Sequence, residues 1–147
     1  MTTSELALLD TNILVYAADQ ASPFHEPSRR LRNQGANGDI LVAVSPQILL
    51  EFFAVITSPK RVQNPRTKEE AIEEVEKYAQ SKHIRKIYPG SDILDRVLTL
   101  LKKYEATRQE IFDLHFVATM LSNDMRRLYT YNRDHFTKFT EVEVLTP

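Results

Sequence analysis

The chain has 147 residues, the size of one domain, and is long enough to bury a core without disulfide or metal staples. Nineteen Lys and Arg against 20 Asp and Glu exclude a strongly basic nucleic-acid coat, though not a local basic patch. With no cysteine, disulfide frameworks, Cys-based zinc sites, iron–sulfur clusters and thiol catalysis are excluded as well.

The opening MTTSELALLD lacks the positive start and long apolar run of a signal peptide, and no run approaches a membrane span. A soluble cytoplasmic domain covering residues 1–147 is expected. Three glycines leave no Gly-rich phosphate cradle, and no repeat or low-complexity segment is visible.

Residues 6–9, LALL, form an apolar run too short for a helix and read as a strand buried on both faces. Helices are predicted from about Asn12 and over Glu26 to Asn33, with Gly and Asn breaking the chain between Asn33 and Gly38. A second strand follows at Ile40 to Val44. Ser45 and Pro46 then open a helix over SPQILLEFFAVIT, the serine as cap and the proline in the first turn. Pro59 and Pro65 bracket a loop. Thr67 and Glu70 have capping-box spacing for a helix reaching about Lys82. Ile84 to Tyr88 reads as a third strand, Ser91 to Tyr104 and Ile111 to Asn123 as helices, and Leu128 to Tyr131 and Val142 to Leu145 as strands four and five. Strands separated by helices predict an α/β/α sandwich around a mostly parallel sheet, whose ligand site lies outside the carboxyl ends of the strands.

Asp10 is the first residue after LALL and therefore stands at such a strand end. It is equally a natural cap for the helix that follows. Glu51 sits in ILLEFFAVI, where a carboxylate is costly unless paired or coordinated, or unless it shares an exposed stripe with Gln47 four residues earlier. Asp113 has a similar setting in IFDLHFVATM, with helix capping as its plainer role. Asn132 and Asp134 follow the fourth strand in TYNRDHF, a sequence that also suits a turn. If these groups converge, three or four carboxylates share one pocket, raise each other's pKa and require a cation. Oxygen-only ligands select Mg²⁺ or Mn²⁺ over Zn²⁺. Such a site activates water for in-line attack on a phosphodiester.

With these motifs in order, LLDTNILVYA, ILLEFFAVIT, IFDLHFVATMLSND and LYTYNRDHF, the chain resembles PIN-domain proteins, and within them the VapC-type toxins of toxin–antitoxin pairs. The resemblance covers nearly the whole chain. It implies a divalent-metal-dependent ribonuclease that cuts RNA, forms a homodimer and is inhibited by a cognate antitoxin. It also implies that Asp10, Glu51 and Asp113 hold Mg²⁺ or Mn²⁺, while Thr11, Asn12 and Thr130 orient the ligands or water. The fourth polar position commonly carries Asp but is Asn132 here. Either Asn132 or Asp134 completes the site.

Basic residues occur in short runs, most of them a solvated face. Arg133, Lys60 and Arg61 are the preferred phosphate contacts, because an acidic pocket does not attract a polyanion by itself. Tyr129, Tyr131 and Phe136 are candidates for base stacking, with core packing the commoner use. His25, His83, His115 and His135 have no metal-binding spacing; His135, near the last motif, is a candidate substrate contact. Two other readings stand beside the nuclease. One is a non-catalytic PIN-like binding module. The other is a receiver-like or phosphoryl-transfer domain using Asp10, although DTN lacks a second acid two residues on.

Overall fold

A computed structural model of the protein describes residues 5–147, and the first four residues of the domain expected over 1–147 lie outside the described residues. Five strands make one sheet: β1 (Ala7–Leu9), β2 (Val42–Val44), β3 (Arg85–Lys86), β4 (Arg127–Tyr129) and β5 (Glu143–Leu145). Their order is β3-β2-β1-β4-β5, with every neighbouring pair parallel. Between them run α1 (Thr11–Ala18), α2 (His25–Asn37), α3 (Pro46–Ile56), α4 (Lys68–Gln80), α5 (Ile93–Lys103), α6 (Glu110–Ser122) and the short α7 (Arg133–Phe136).

Successive strand residues face opposite sides of a sheet. All three residues of β1 and of β2 are buried, so helices cover both faces. The expected α/β/α architecture is therefore present. α1 packs on α2 and α3, α3 packs on α4, and α5 packs on α6. The core joins Leu8, Leu9 and Leu128 from the sheet to Ile13, Leu14, Ile48, Phe52, Leu114 and Met120 from the helices.

Local signals account for most element boundaries. The Ser45 hydroxyl accepts from the Ile48 amide at 3.3 Å, with Pro46 opening α3. Thr67 and Glu70 form the reciprocal capping box that starts α4.

The break expected from Asn33 onward comes only at its far end. α2 continues to Asn37 and passes through Gly35. Gly35 serves packing, because a Cβ there would collide with Val42 Cγ2 on β2. Gly38 is the residue that stops the helix: at φ 82° it takes the left-handed conformation, and its amide turns back to the Gln34 and Gly35 carbonyls. Residues 133–136, expected as a turn, wind into α7. The third strand shortens from the expected Ile84–Tyr88 to two residues at the sheet edge.

β1 leads to β2 on one side, while the chain later returns through β4 on the other. The strand order thus reverses between β1 and β4, the position where open parallel sheets form a crevice. Leu9 pairs with Tyr129, which makes Asp10 and Thr130 the first residues beyond the paired ends. Among the described residues, no helix is long and apolar enough to cross a membrane.

Candidate active site

The chain leaves β1 through Asp10, whose amide donates to the Tyr129 carbonyl at 3.0 Å, extending the β1–β4 ladder by one bond. One carboxylate oxygen of Asp10 accepts from the Thr11 amide at 2.7 Å, so Asp10 does cap α1. The other oxygen accepts from the Thr130 hydroxyl at 2.7 Å and from Asn12 Nδ2 at 3.2 Å. Capping uses one edge of the carboxylate, and the β1–β4 crevice holds the other.

Thr130 is fully buried and makes the junction. Its hydroxyl donates to Asp10 and accepts from Asn12 Nδ2 at 3.2 Å and from the Asn132 amide at 2.9 Å. Asn12 in turn accepts from the Tyr131 amide at 3.2 Å through its side-chain oxygen. Two loops far apart in sequence are thereby locked together around a single carboxylate. Burial pushes the Asp10 carboxyl above the usual range, against the hydrogen bonds from Thr130 and Thr11 that favour the anion. The negative charges of Glu51 and Asp113 push it further in the same direction.

Glu51 lies on the solvent-facing stripe of α3, opposite the buried Ile48, Leu49, Phe52 and Ile56. Gln47 shares that stripe and donates to Glu51 Oε1 at 3.2 Å. The polar-stripe reading of Glu51 is correct, and the stripe lines a cleft. Across the cleft the Thr11 hydroxyl donates to Glu51 Oε2 at 2.9 Å, joining α3 to the loop that carries Asp10.

Asp113 projects from the first turn of α6. It is not the cap of that helix: the preceding turn is satisfied by Glu110, which accepts from the Thr107 amide at 3.1 Å. His135 Nδ1 stands 3.4 Å from Asp113 Oδ2. Partial burial raises the Asp113 carboxyl above its ordinary value, opposed by the nearby His135 and reinforced by Glu110.

Asp10, Glu51 and Asp113 line one cleft of about 620 Å³, with Thr11, Asn12, Gln47, Asn132 and His135 on its walls. Arg61 reaches the same cleft from the loop between α3 and α4. Of the two candidates for the fourth position, Asn132 lines the cleft, whereas Asp134 sits exposed on α7 and is not part of its wall. Lys60 is exposed outside the cleft. Arg133 is turned to the sheet edge, donating to the Val144 carbonyl at 3.2 Å and to the Thr146 hydroxyl at 2.9 Å. Phe136 is buried in the core and also lines the cleft, while Tyr129 and Tyr131 are half-buried and outside its wall. Gln47, Tyr16, Phe112 and Phe116 also belong to the cleft. Their helical spacing gives no signal beyond ordinary packing or a polar stripe.

The donor set suits a hard divalent cation. Oxygen ligands predominate, two of the three acids are raised above their usual pKa, and among the described residues no Lys or Arg ion-pairs with Asp10 or Glu51. Among the described residues, no three Asp, Glu or His side chains are gathered tightly enough to enclose an ion unaided. An ion held there would need water to complete its shell, as Mg²⁺ retains much of its hydration.

Comparison with known proteins places the fold and the family. Ribonuclease VapC48 and ribonuclease VapC24 of Mycobacterium tuberculosis are each 25% identical to the chain, over 138 and 139 residues. The first alignment covers 94% of both chains, and the second 95% of this chain and 94% of its relative. Among solved structures, that of M. tuberculosis VapC20, a sarcin–ricin loop cleaving toxin, superposes with a TM-score of 0.66 at 16% identity, covering 93% of this chain and 98% of the other. A PIN domain profile matches residues 7–142, a span that contains all three cleft acids, and the chain belongs to the PIN domain family.

Proposed function

We propose that this chain is a VapC-type toxin: an endoribonuclease that hydrolyses RNA phosphodiesters with Mg²⁺ or Mn²⁺ and is restrained by a protein antitoxin. The observation that carries the reading is the meeting of Asp10, Glu51 and Asp113, from three separate elements, in one cleft at the strand-order reversal. The VapC names of its relatives and its PIN membership support the same reading, and set aside the receiver-like alternative built on Asp10.

On this reading Asp10, Glu51, Asp113 and the Asn132 amide oxygen would hold the ion, directly or through water. Once bound, the ion supplies an activated water and neutralises charge building on the phosphate during in-line attack. Thr130, Asn12 and the Thr11 amide keep both Asp10 oxygens aimed. Gln47 and the Thr11 hydroxyl do the same for Glu51. Arg61, at the cleft wall, offsets the repulsion between the acids and the RNA backbone. Asp134 and Arg133 have no direct part in this scheme, and Asn132 takes the fourth position.

A cytoplasmic homodimer with a bound antitoxin completes the proposal. Leu94, Leu98 and Leu101 stand exposed along one side of α5, and Phe112 on α6 is also exposed, leaving apolar surface for protein partners. The test is cleavage of RNA in Mg²⁺ or Mn²⁺ by the wild type and by Asp10→Asn. Cleavage by the wild type alone is expected, and equal cleavage by both sinks the proposal. Calorimetry with Mn²⁺ separates the remaining alternative: no ion uptake and no cleavage would leave a PIN-like binding module.

A further inference from the structure

We infer that Tyr16, Phe24 and Tyr131 form a stacking platform for one unpaired nucleobase of the substrate, joined to the catalytic cleft through Tyr16. The inference rests on the nuclease reading above and specifies where its RNA is gripped.

The three rings form a closed cluster. Centroids lie 5.3 Å apart for Tyr16 and Phe24, 5.3 Å for Tyr16 and Tyr131, and 4.6 Å for Phe24 and Tyr131. Tyr16 also lines the cleft that holds the carboxylates. Phe24 is 43% exposed, in the connection between α1 and α2. The other aromatic clusters of the molecule each include a buried ring, such as Phe52 and Tyr78, or Phe136 and Phe139. The cluster of Tyr16, Phe24 and Tyr131 has none.

Polar bonds fix the platform from behind. The Tyr131 hydroxyl is 2.9 Å from the buried Ser28 Oγ, and His25 Nδ1 is 2.9 Å from the Tyr16 carbonyl oxygen. The Tyr131 amide donates to Asn12 Oδ1, and Asn12 Nδ2 donates to Asp10. One side chain therefore sets both the platform and the buried acid, so a base on the rings is held in register with the reacting phosphate. Aromatic rings accept any base through its π face, and a base in a duplex has no free face to offer.

The chain contains no tryptophan, so Phe24→Trp places a single fluorescent reporter on the platform. The experiment uses the full chain with Asp10→Asn, the variant whose cleavage Mn²⁺ does not restore, after thermal unfolding has shown each variant folded. Mixed-sequence single-stranded RNA is expected to quench the reporter, while an abasic oligonucleotide of the same length and charge does not. Phe24→Leu is expected to weaken single-strand binding roughly five- to hundred-fold, the range for losing one base–aromatic stack. Phe24→Trp is expected to retain it. Equal quenching by the abasic strand, unchanged affinity in Phe24→Leu, or quenching by an acidic peptide and not by RNA would each overturn the platform. Wild-type cleavage is measured in parallel. Loss of the platform signal with cleavage intact overturns this inference alone, whereas base-dependent quenching without cleavage under any divalent ion overturns the nuclease reading and leaves the platform standing.

Discussion

The acids of the cleft are held in two different ways. Asp10 stands at a strand end, with both oxygens bonded to backbone or side-chain donors of the β1–β4 junction and with Thr130 saturated behind it. Glu51 and Asp113 stand on helix surfaces and are contacted by side chains alone: Thr11 and Gln47 for one, His135 for the other. The first half of the site is set by the sheet. The second can adjust by rotamer changes, and among the described residues no three acid or imidazole side chains enclose an ion unaided. One part of the site fixes position, and the other adapts to what is bound.

The largest effect expected from this contrast is at Asp10. Asp10→Asn should lower RNA cleavage by at least roughly 100-fold, and raising Mn²⁺ should not restore it, because the lost charge sits at the rigid anchor. Glu51→Gln and Asp113→Asn should each cost roughly 10- to 100-fold, with partial recovery at high Mn²⁺. Full recovery of Asp10→Asn, or none for the helix acids, would break the distinction. Both readouts are initial rates against metal concentration.

Thr130→Val removes the donor to Asp10 and the acceptor of two N–H groups at once. It should destabilise the fold by about 1–3 kcal/mol, lowering the melting temperature on the order of 5 °C. A Thr130→Val chain that melts with the wild type would show that the anchor is not held as described.

Binding of Mn²⁺ to the folded state alone should stabilise the wild type by about 2.7 kcal/mol at a hundredfold excess over its dissociation constant. That shift should vanish in Asp10→Asn. The smallest effects belong to α7: His135→Ala should change cleavage by less than about tenfold, as loss of one exposed partner of Asp113. Asp134→Asn, outside the cleft, should leave cleavage within about twofold.

Much of this arrangement is legible in the sequence because each anchor has a local cause. LALL can only be a buried strand, so Asp10 has to emerge at its end. The Ser45–Pro46 pair fixes where α3 begins, and so which side of it Glu51 occupies. What is not legible depends on contacts between distant segments. Nothing local distinguishes Gly35, which packs on Val42, from Gly38, which ends the helix, and composition alone therefore puts the break too early. The choice between Asn132 and Asp134 turns on the winding of α7, a four-residue helix with no side-chain cap to announce it. Phe24 lies in a loop whose partners come from α1 and from the residues after β4, so no spacing pattern could place it against Tyr16 and Tyr131.

The bond between Thr130 and Asp10 spans 120 positions of the chain. During synthesis the amino-terminal acid emerges long before the residue that aims it, and β1 waits for β4 as one of its two partners. Parallel pairings of this separation form late in folding, because the chain must close a long loop before any contact repays it. Chain growth thus acts as a timer: a nascent chain cut short of β4 carries Asp10, Glu51 and Asp113 and still lacks the crevice that brings them into register.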